Sequence, residues 1–298
     1  MKERVALIVG GGIAGPAVAL FLKRAGYAPR VFEAHSRSSN IGGGLQVAPN
    51  GMYILQQLAI AGRLVERGVE SVELCFENQF GKSLGRISNG PASLYAAPAV
   101  QVARFVLHEA LLDKLDANGI PIEYSKSIRN ISNAEDQVFA EFEDGSSAEG
   151  SILIGADGIH SRTRQIAFPL LQPPLYTGLV TIGGFASHPS LKAASAKEQS
   201  RTHMIFGQNG FFGYGYYDRA DPSTVMWWSH LQYPQEPTIE DLRSVTSLEL
   251  QERLLKRHRG WAEPVGLILH NVSRILWGPV HDLSPLPQWS HERVVLVG

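Results

Sequence analysis

Near the start of the chain, Gly10-Gly-Gly-Ile-Ala-Gly15 follows the apolar run Val5-Ala-Leu-Ile-Val9 without a gap. Gly10, Gly12 and Gly15 stand at the G-x-G-x-x-G spacing. Such a turn is tight, lets the backbone approach a pyrophosphate, and rests the phosphate charge on a helix N-terminus. Ile13 and Ala14 lie inside it and join the candidate cofactor residues. Glu33 ends the next short strand, Arg30-Val-Phe-Glu33, where a dinucleotide fold places the acceptor for ribose hydroxyls. An acid there repels a 2'-phosphate, so the expected dinucleotide is FAD or NAD rather than NADP. A second glycine-bearing turn, Gly155-Ala-Asp157-Gly-Ile-His-Ser161-Arg-Thr-Arg164, also follows an apolar strand. Asp157 can serve a ligand there, or it can cap a strand-to-helix turn.

The elements that position these residues read as a βαβ unit: strand 5–9, a helix with Pro16 in its first turn and Gly26 at its end, and strand 30–33. Helices are expected over 52–61 and 105–118, the latter with Leu107, Ala110, Leu111 and Leu115 on one side. The stretch 138–154 has strand character on both sides of Asp144-Gly145, a hairpin signal. Beyond about residue 170 glycines and aromatics alternate in Phe211-Phe-Gly-Tyr-Gly-Tyr-Tyr217, and Val225-Met-Trp-Trp228 follows. A mainly antiparallel sheet is expected there, interrupted by one long helix over 239–257. Period-two alternation puts Phe212, Tyr214 and Tyr216 on one strand face, proposed as walls of a substrate pocket, although a row of aromatics in a sheet also serves as plain core. Gly213 and Gly215 point to a close approach on the opposite face.

With 298 residues, 44% hydrophobic and 18% charged, the chain can bury a large core in two interleaved lobes. A formal charge of -1, with no run of five like charges, gives no footprint for nucleic acid. Cys75 is the only cysteine, which excludes an intrachain disulfide and a multi-cysteine metal site and fits a reducing cytoplasm. Glycines and Pro16 break the apolar run from Val5 to Leu22, so no transmembrane segment or secretion signal is expected. No G-x-S-x-G elbow supports a hydrolase and no histidine pair on a helix supports a metal site. No side chain stands out as a catalyst, and the chain is expected as a monomer or homodimer.

The second turn carries a resemblance. Gly155-Ala-Asp157-Gly, with Ser161 and Arg164, is similar to the G-A-D-G-x-x-S-x-x-R motif of the FAD-dependent aromatic-ring hydroxylases, the single-component flavoprotein monooxygenases of the salicylate and 4-hydroxybenzoate hydroxylase group. Gly42-Gly-Gly-Leu-Gln-Val-Ala-Pro-Asn50 resembles that family's loop beside the isoalloxazine, which brings in Gly44, and Arg104-Phe-Val-Leu-His-Glu-Ala-Leu111 resembles its R-x-x-L-x-x-x-L helix start. The resemblance implies an α/β fold, with a Rossmann-like FAD-binding lobe interleaved with a β-sheet substrate lobe. It implies that Gly10, Gly12 and Gly15 cradle the FAD pyrophosphate, Glu33 holds its ribose, Arg104 reaches the phosphate or ribityl region, and Asp157 sits near the cofactor's middle. NADH or NADPH is then a transient hydride donor, and O2 is activated as a flavin C4a-hydroperoxide that hydroxylates a small organic ring.

Expected boundaries are 1–170 for the FAD lobe, 171–275 for the sheet lobe and 276–298 for a return to the first. Glu292-Arg-Val-Val-Leu-Val-Gly298 resembles the strand that leads into the family's G-D-A-A-H motif, and the sequence stops at the glycine, as a truncated chain would. Two rival readings accompany the hydroxylase: another flavin oxidoreductase such as an epoxidase, and an FAD-binding remnant without catalysis.

Overall fold

A computed structural model describes residues 4–37, 42–90 and 92–298. The first strand, β1 (Val5–Val9), leads through the glycine turn into helix α1 (Ala14–Arg24) and then into β2 (Ala28–Phe32). β1 pairs in parallel with β2 on one side and with strand Ile152–Gly155 on the other. Ala6, Leu7 and Ile8 point alternately to the two faces of the sheet and are all fully buried, so both faces of this central parallel strand are covered and the run is continuously apolar rather than alternating. α1 buries Gly15, Pro16, Ala19 and Leu20, and stops at Gly26, whose φ of +82° suits a residue without a side chain.

The expected hairpin forms between Val138–Phe142 and Ser147–Gly150, turning at Gly145 with φ +82°. It is shorter than 138–154, because Ile152–Gly155 leaves it to join the parallel sheet beside β1.

By internal contacts the chain divides into two compact units, one of residues 1–40, 107–175 and 281–298, the other of 41–106 and 176–280. The first holds the six-stranded parallel-centred sheet and the three-stranded sheet built on the hairpin. The second holds a seven-stranded sheet in the order 272–282, 175–187, 224–232, 210–216, 201–207, 73–78 and 83–88. Strand 201–207 pairs in parallel with 73–78, while 175–187, 224–232, 210–216 and 201–207 pair antiparallel in succession.

Two expected helices differ from the structure for identifiable reasons. The helix expected over 239–257 is two, Ile239–Ser244 and Ser247–Arg257. Each starts with its own capping box, Thr238 with Asp241 and Thr246 with Glu249, so the second box begins a new helix where periodicity alone suggests continuation. The helix expected over 52–61 spans Pro49–Gln57; Ala59 turns the chain at φ +56° and Ala61–Arg67 starts afresh. Among the described residues, no helix is long and apolar enough to cross a membrane.

Candidate functional site

In the first unit the candidate residues gather at the carboxyl ends of adjacent parallel strands. The glycine turn leaves β1, Glu33 follows β2, and Asp157 follows strand Ile152–Gly155. This is the edge where open α/β sheets bind their ligands. Gly10 has φ +114°, and a Cβ there would overlap the carbonyl of Ala156, so the two glycine-bearing turns lie in direct contact. A Cβ on Gly15 would overlap the carbonyl oxygen of Gly10, where α1 closes back on the turn. Gly12, Ile13 and Ala14 remain partly exposed beside them.

Glu33 is drawn into this turn. Its Oε2 accepts the Gly11 amide at 2.7 Å, and its Oε1 accepts the His35 amide at 2.8 Å and lies 2.8 Å from His35 Nδ1. Half-burial of the carboxylate pushes its pKa up, but the bonds from His35 and Gly11 outweigh that and hold it below the ordinary value. An ionised carboxylate offers about four acceptor sites. Three are occupied, which leaves room on Oε2 for one further O–H donor.

Asp157 does the capping work that its position allows. Oδ1 accepts the Ser161 hydroxyl at 2.6 Å, and Oδ2 accepts the Thr163 amide at 3.0 Å and its hydroxyl at 3.1 Å. Ser161 caps helix Arg162–Ala167 by accepting the Arg164 amide at 2.9 Å. The same loop lines a cavity of about 370 Å³. Arg164 also lines it, and its Nη2 is buried with no partner among the described residues.

Gly44 and Arg104 belong to the second unit, so the structure groups them apart from the glycine turn. Strand Gly44–Val47 pairs with Val100–Ala103, which runs straight into the helix headed by Arg104. The Arg104 amide donates to Gly43 O at 3.0 Å, and a Cβ on Gly42 (φ +115°) would come 2.9 Å from Arg104 Cδ. Gly44 borders a cavity of about 560 Å³. Its floor is one face of the seven-stranded sheet, represented by Thr202, Met204, Met226 and Trp228, and its rim includes Gln46 and Trp277.

The expectation that Phe212, Tyr214 and Tyr216 wall this pocket is corrected. All three are buried, at 0%, 6% and 6% exposure, on the opposite face of the sheet. There they pack with Leu250, Leu254, Val265 and Ile268 of the helices that cover it. Phe212 stacks on Trp227 with ring centroids 5.7 Å apart, Tyr214 on His203 at 4.5 Å, and the Tyr216 hydroxyl donates to Leu191 O at 2.9 Å. The alternation holds, but the helical layer covers the aromatic side and the pocket takes the glycine side. On that side the Trp228 ring occupies the space over Gly213, and the Gln101 amide occupies the space over Gly215.

Comparison with known proteins places this geometry. The family model described as FAD binding domain matches residues 3–242. The chain belongs to the FAD-binding-domain family. The 6-hydroxynicotinate 3-monooxygenase of Bordetella bronchiseptica is 27% identical over 307 residues, covering 100% of this chain and 76% of that protein. The 3-amino-4-hydroxybenzoate 2-monooxygenase PtmB3 of Streptomyces platensis is 36% identical over 166 residues, covering 55% of this chain and 41% of its own. Among solved structures, Klebsiella pneumoniae HpxO complexed with FAD and uric acid matches with a TM-score of 0.83 at 22% identity, over 99% of this chain and 72% of that one.

The residues present fit FAD. α1 begins at Ala14, after Ile13 at the N-cap, with no side chain capping its amides and no acid in its first turn, so its N-terminus is left for an anion. One residue escaped the motif reading although it lies within the quoted helix start. His108, one turn after Arg104, places Nε2 2.7 Å from Gly11 O and so buttresses the glycine turn from behind. Only the tautomer protonated on Nε2 donates to that carbonyl. His108→Ala is expected to weaken FAD binding roughly fivefold, as one net hydrogen bond of about 1 kcal/mol implies, with His108→Gln restoring most of it. Titration of flavin fluorescence measures this; unchanged affinity in the alanine variant removes His108 from the support of the turn.

Proposed function

We propose that this flavoprotein monooxygenase holds FAD along the carboxyl edge of its parallel sheet and hydroxylates a small aromatic compound in the cavity of its second unit. The observation that carries the reading is the meeting of the two glycine-bearing turns and Glu33 on one sheet edge, with an uncapped helix N-terminus beside them. FAD, held by the glycine turn, Glu33 and Arg104, would supply the redox chemistry that links oxidation of NADH or NADPH to entry of one oxygen atom of O2 into the ring, the other being released as water.

The chain's own part is placement. The glycine turn and the first amides of α1 hold the pyrophosphate, while Glu33 accepts a ribose hydroxyl on its remaining lone pair. Arg104, fixed through Gly42 and Gly43, supplies a cation at the loop that resembles the isoalloxazine loop. In the second unit Met204, Met226, Trp228 and Trp277 give the substrate cavity an apolar lining that excludes water and favours a flat ring, with Gln46 and Thr202 as its polar contacts.

The test supplies the FAD-loaded chain with NADH or NADPH, isotopically labelled dioxygen and a panel of hydroxylated aromatics. The expected outcome is nucleotide oxidation stimulated by one class of ring and a product carrying one labelled oxygen atom. If every ring yields unlabelled or unchanged material, with reducing equivalents recovered as hydrogen peroxide, the hydroxylase reading is overturned.

A further inference from the structure

The cavity beside Gly44 has no charged side chain among the described residues that line it. Among these described residues there is no Asp, Glu, Lys, Arg or His; the side-chain polar groups are Gln46, Thr181 and Thr202, with the indole N–H groups of Trp228 and Trp277. The nearby charges on strand Arg201–Gly207 alternate to the other face. Arg201 lies 2.9 Å from Glu73 and 2.5 Å from Glu198, and His203 stacks on Tyr214 in the core. Two of the relatives are named for carboxylates, a hydroxynicotinate and an aminohydroxybenzoate. A carboxylate placed in this cavity loses its water and gains no counter-charge from the described lining residues, which disfavours it.

The neutral polar groups form one connected set with an unused acceptor. The Asn89 amide donates to Gln46 Oε1 at 2.9 Å and to Ser71 Oγ at 2.7 Å. Ser71 Oγ lies 2.8 Å from Thr202 Oγ1, which also accepts the Gln101 amide nitrogen. Gln101 Oε1 has no partner among the described residues although the residue is only 1% exposed. It lies over Gly215, which pairs with Thr202 on one side and Met226 on the other, both lining the cavity. Gln101 does not line the cavity, so what this set presents to a ligand is neutral: the Gln46 amide and the Thr202 hydroxyl.

We infer that the cavity selects an uncharged aromatic ring over the same ring bearing a carboxylate. This rests on the reading of the cavity as the substrate site. It differs from that reading in what it forbids, since a carboxylate-selective hydroxylase would satisfy the former and break the latter.

Calorimetric titration of the FAD-loaded chain at neutral pH with 4-hydroxybenzamide and with 4-hydroxybenzoate tests it. The amide is expected to bind at least about tenfold tighter. Met204→Lys, which places a cation on the cavity floor, is expected to reverse the order, with circular dichroism confirming the fold. Equal or tighter binding of the carboxylate by the wild-type chain overturns the inference, as does failure of both rings to bind at millimolar concentration. Because binding is read without turnover, a carboxylate preference accompanied by labelled product sinks the inference and leaves the hydroxylase reading standing.

Discussion

Glu33→Arg lowers the affinity for FAD by roughly a hundred- to a thousandfold. The carboxylate is bonded to the Gly11 and His35 amides and has one acceptor site left for a ribose hydroxyl. Arginine can accept none of these. Hydrogen bonds to a charged group are worth about 1.5–3 kcal/mol each, so losing the Gly11 and ribose bonds together, each near the lower end of that range in this half-buried site, gives about 3–4 kcal/mol, two to three decades in Kd. Glu33→Gln keeps one acceptor oxygen and should cost about tenfold. The pH dependence has a definite sign. The folded-state pKa is depressed, so the contribution is present above the unfolded value and is lost as pH falls through the folded one. FAD affinity of the wild-type chain should therefore hold at neutral pH and fall in acid, and the Gln variant should lack that acid limb. An unchanged flavin dissociation constant in Glu33→Arg would falsify the assignment of this residue to the ribose.

Gly12→Val yields a folded chain with almost no retained flavin, a loss of affinity of at least about a hundredfold, because a branched side chain occupies the space a phosphate needs. The contrast with Gly15 sharpens the test. A Cβ at Gly15 overlaps the Gly10 carbonyl, so Gly15→Val strains the junction of β1 and α1 and lowers the melting temperature as well. Gly12 is partly exposed in the same turn, so its replacement is expected to leave the fold in place. Flavin-to-protein ratios after desalting, read beside thermal melts, separate the two. Normal flavin content in Gly12→Val would remove the glycine turn from the cofactor site.

What the sequence discloses is local. The β1 turn, α1 and Gly26 are legible because glycine spacing, the helix stop and continuous apolarity all lie within one short segment, and the structure follows them closely. Asp144-Gly145 announces its hairpin in the same way. Long-range pairing is not written in any window. Nothing near Glu73–Asn78 indicates that it pairs in parallel with Arg201–Gly207, and nothing near Gly44 indicates that the Met226 side chain packs directly against it.

The aromatic strand shows where pattern reading ends. Alternation separates Phe212, Tyr214 and Tyr216 from Gly213 and Gly215, but which face meets helices and which meets a ligand depends on elements distant in sequence, here Ser247–Arg257 and Val265–His270. The glycines were the better pointer to the cavity, because they mark where Trp228 and Gln101 come close. Asp157 teaches a related lesson. The motif locates it on the sheet edge, and only the hydrogen bonds show that both its oxygens are engaged in holding the turn.

The central claim is that these residues bind FAD, and the visible absorption spectrum of the purified chain, taken after incubation with FAD and desalting, tests it most directly. Retained flavin, with the two visible bands of the oxidised isoalloxazine at close to one equivalent per chain, is the predicted result. A folded chain that elutes colourless, with no more affinity for FAD than for NAD, contradicts the account.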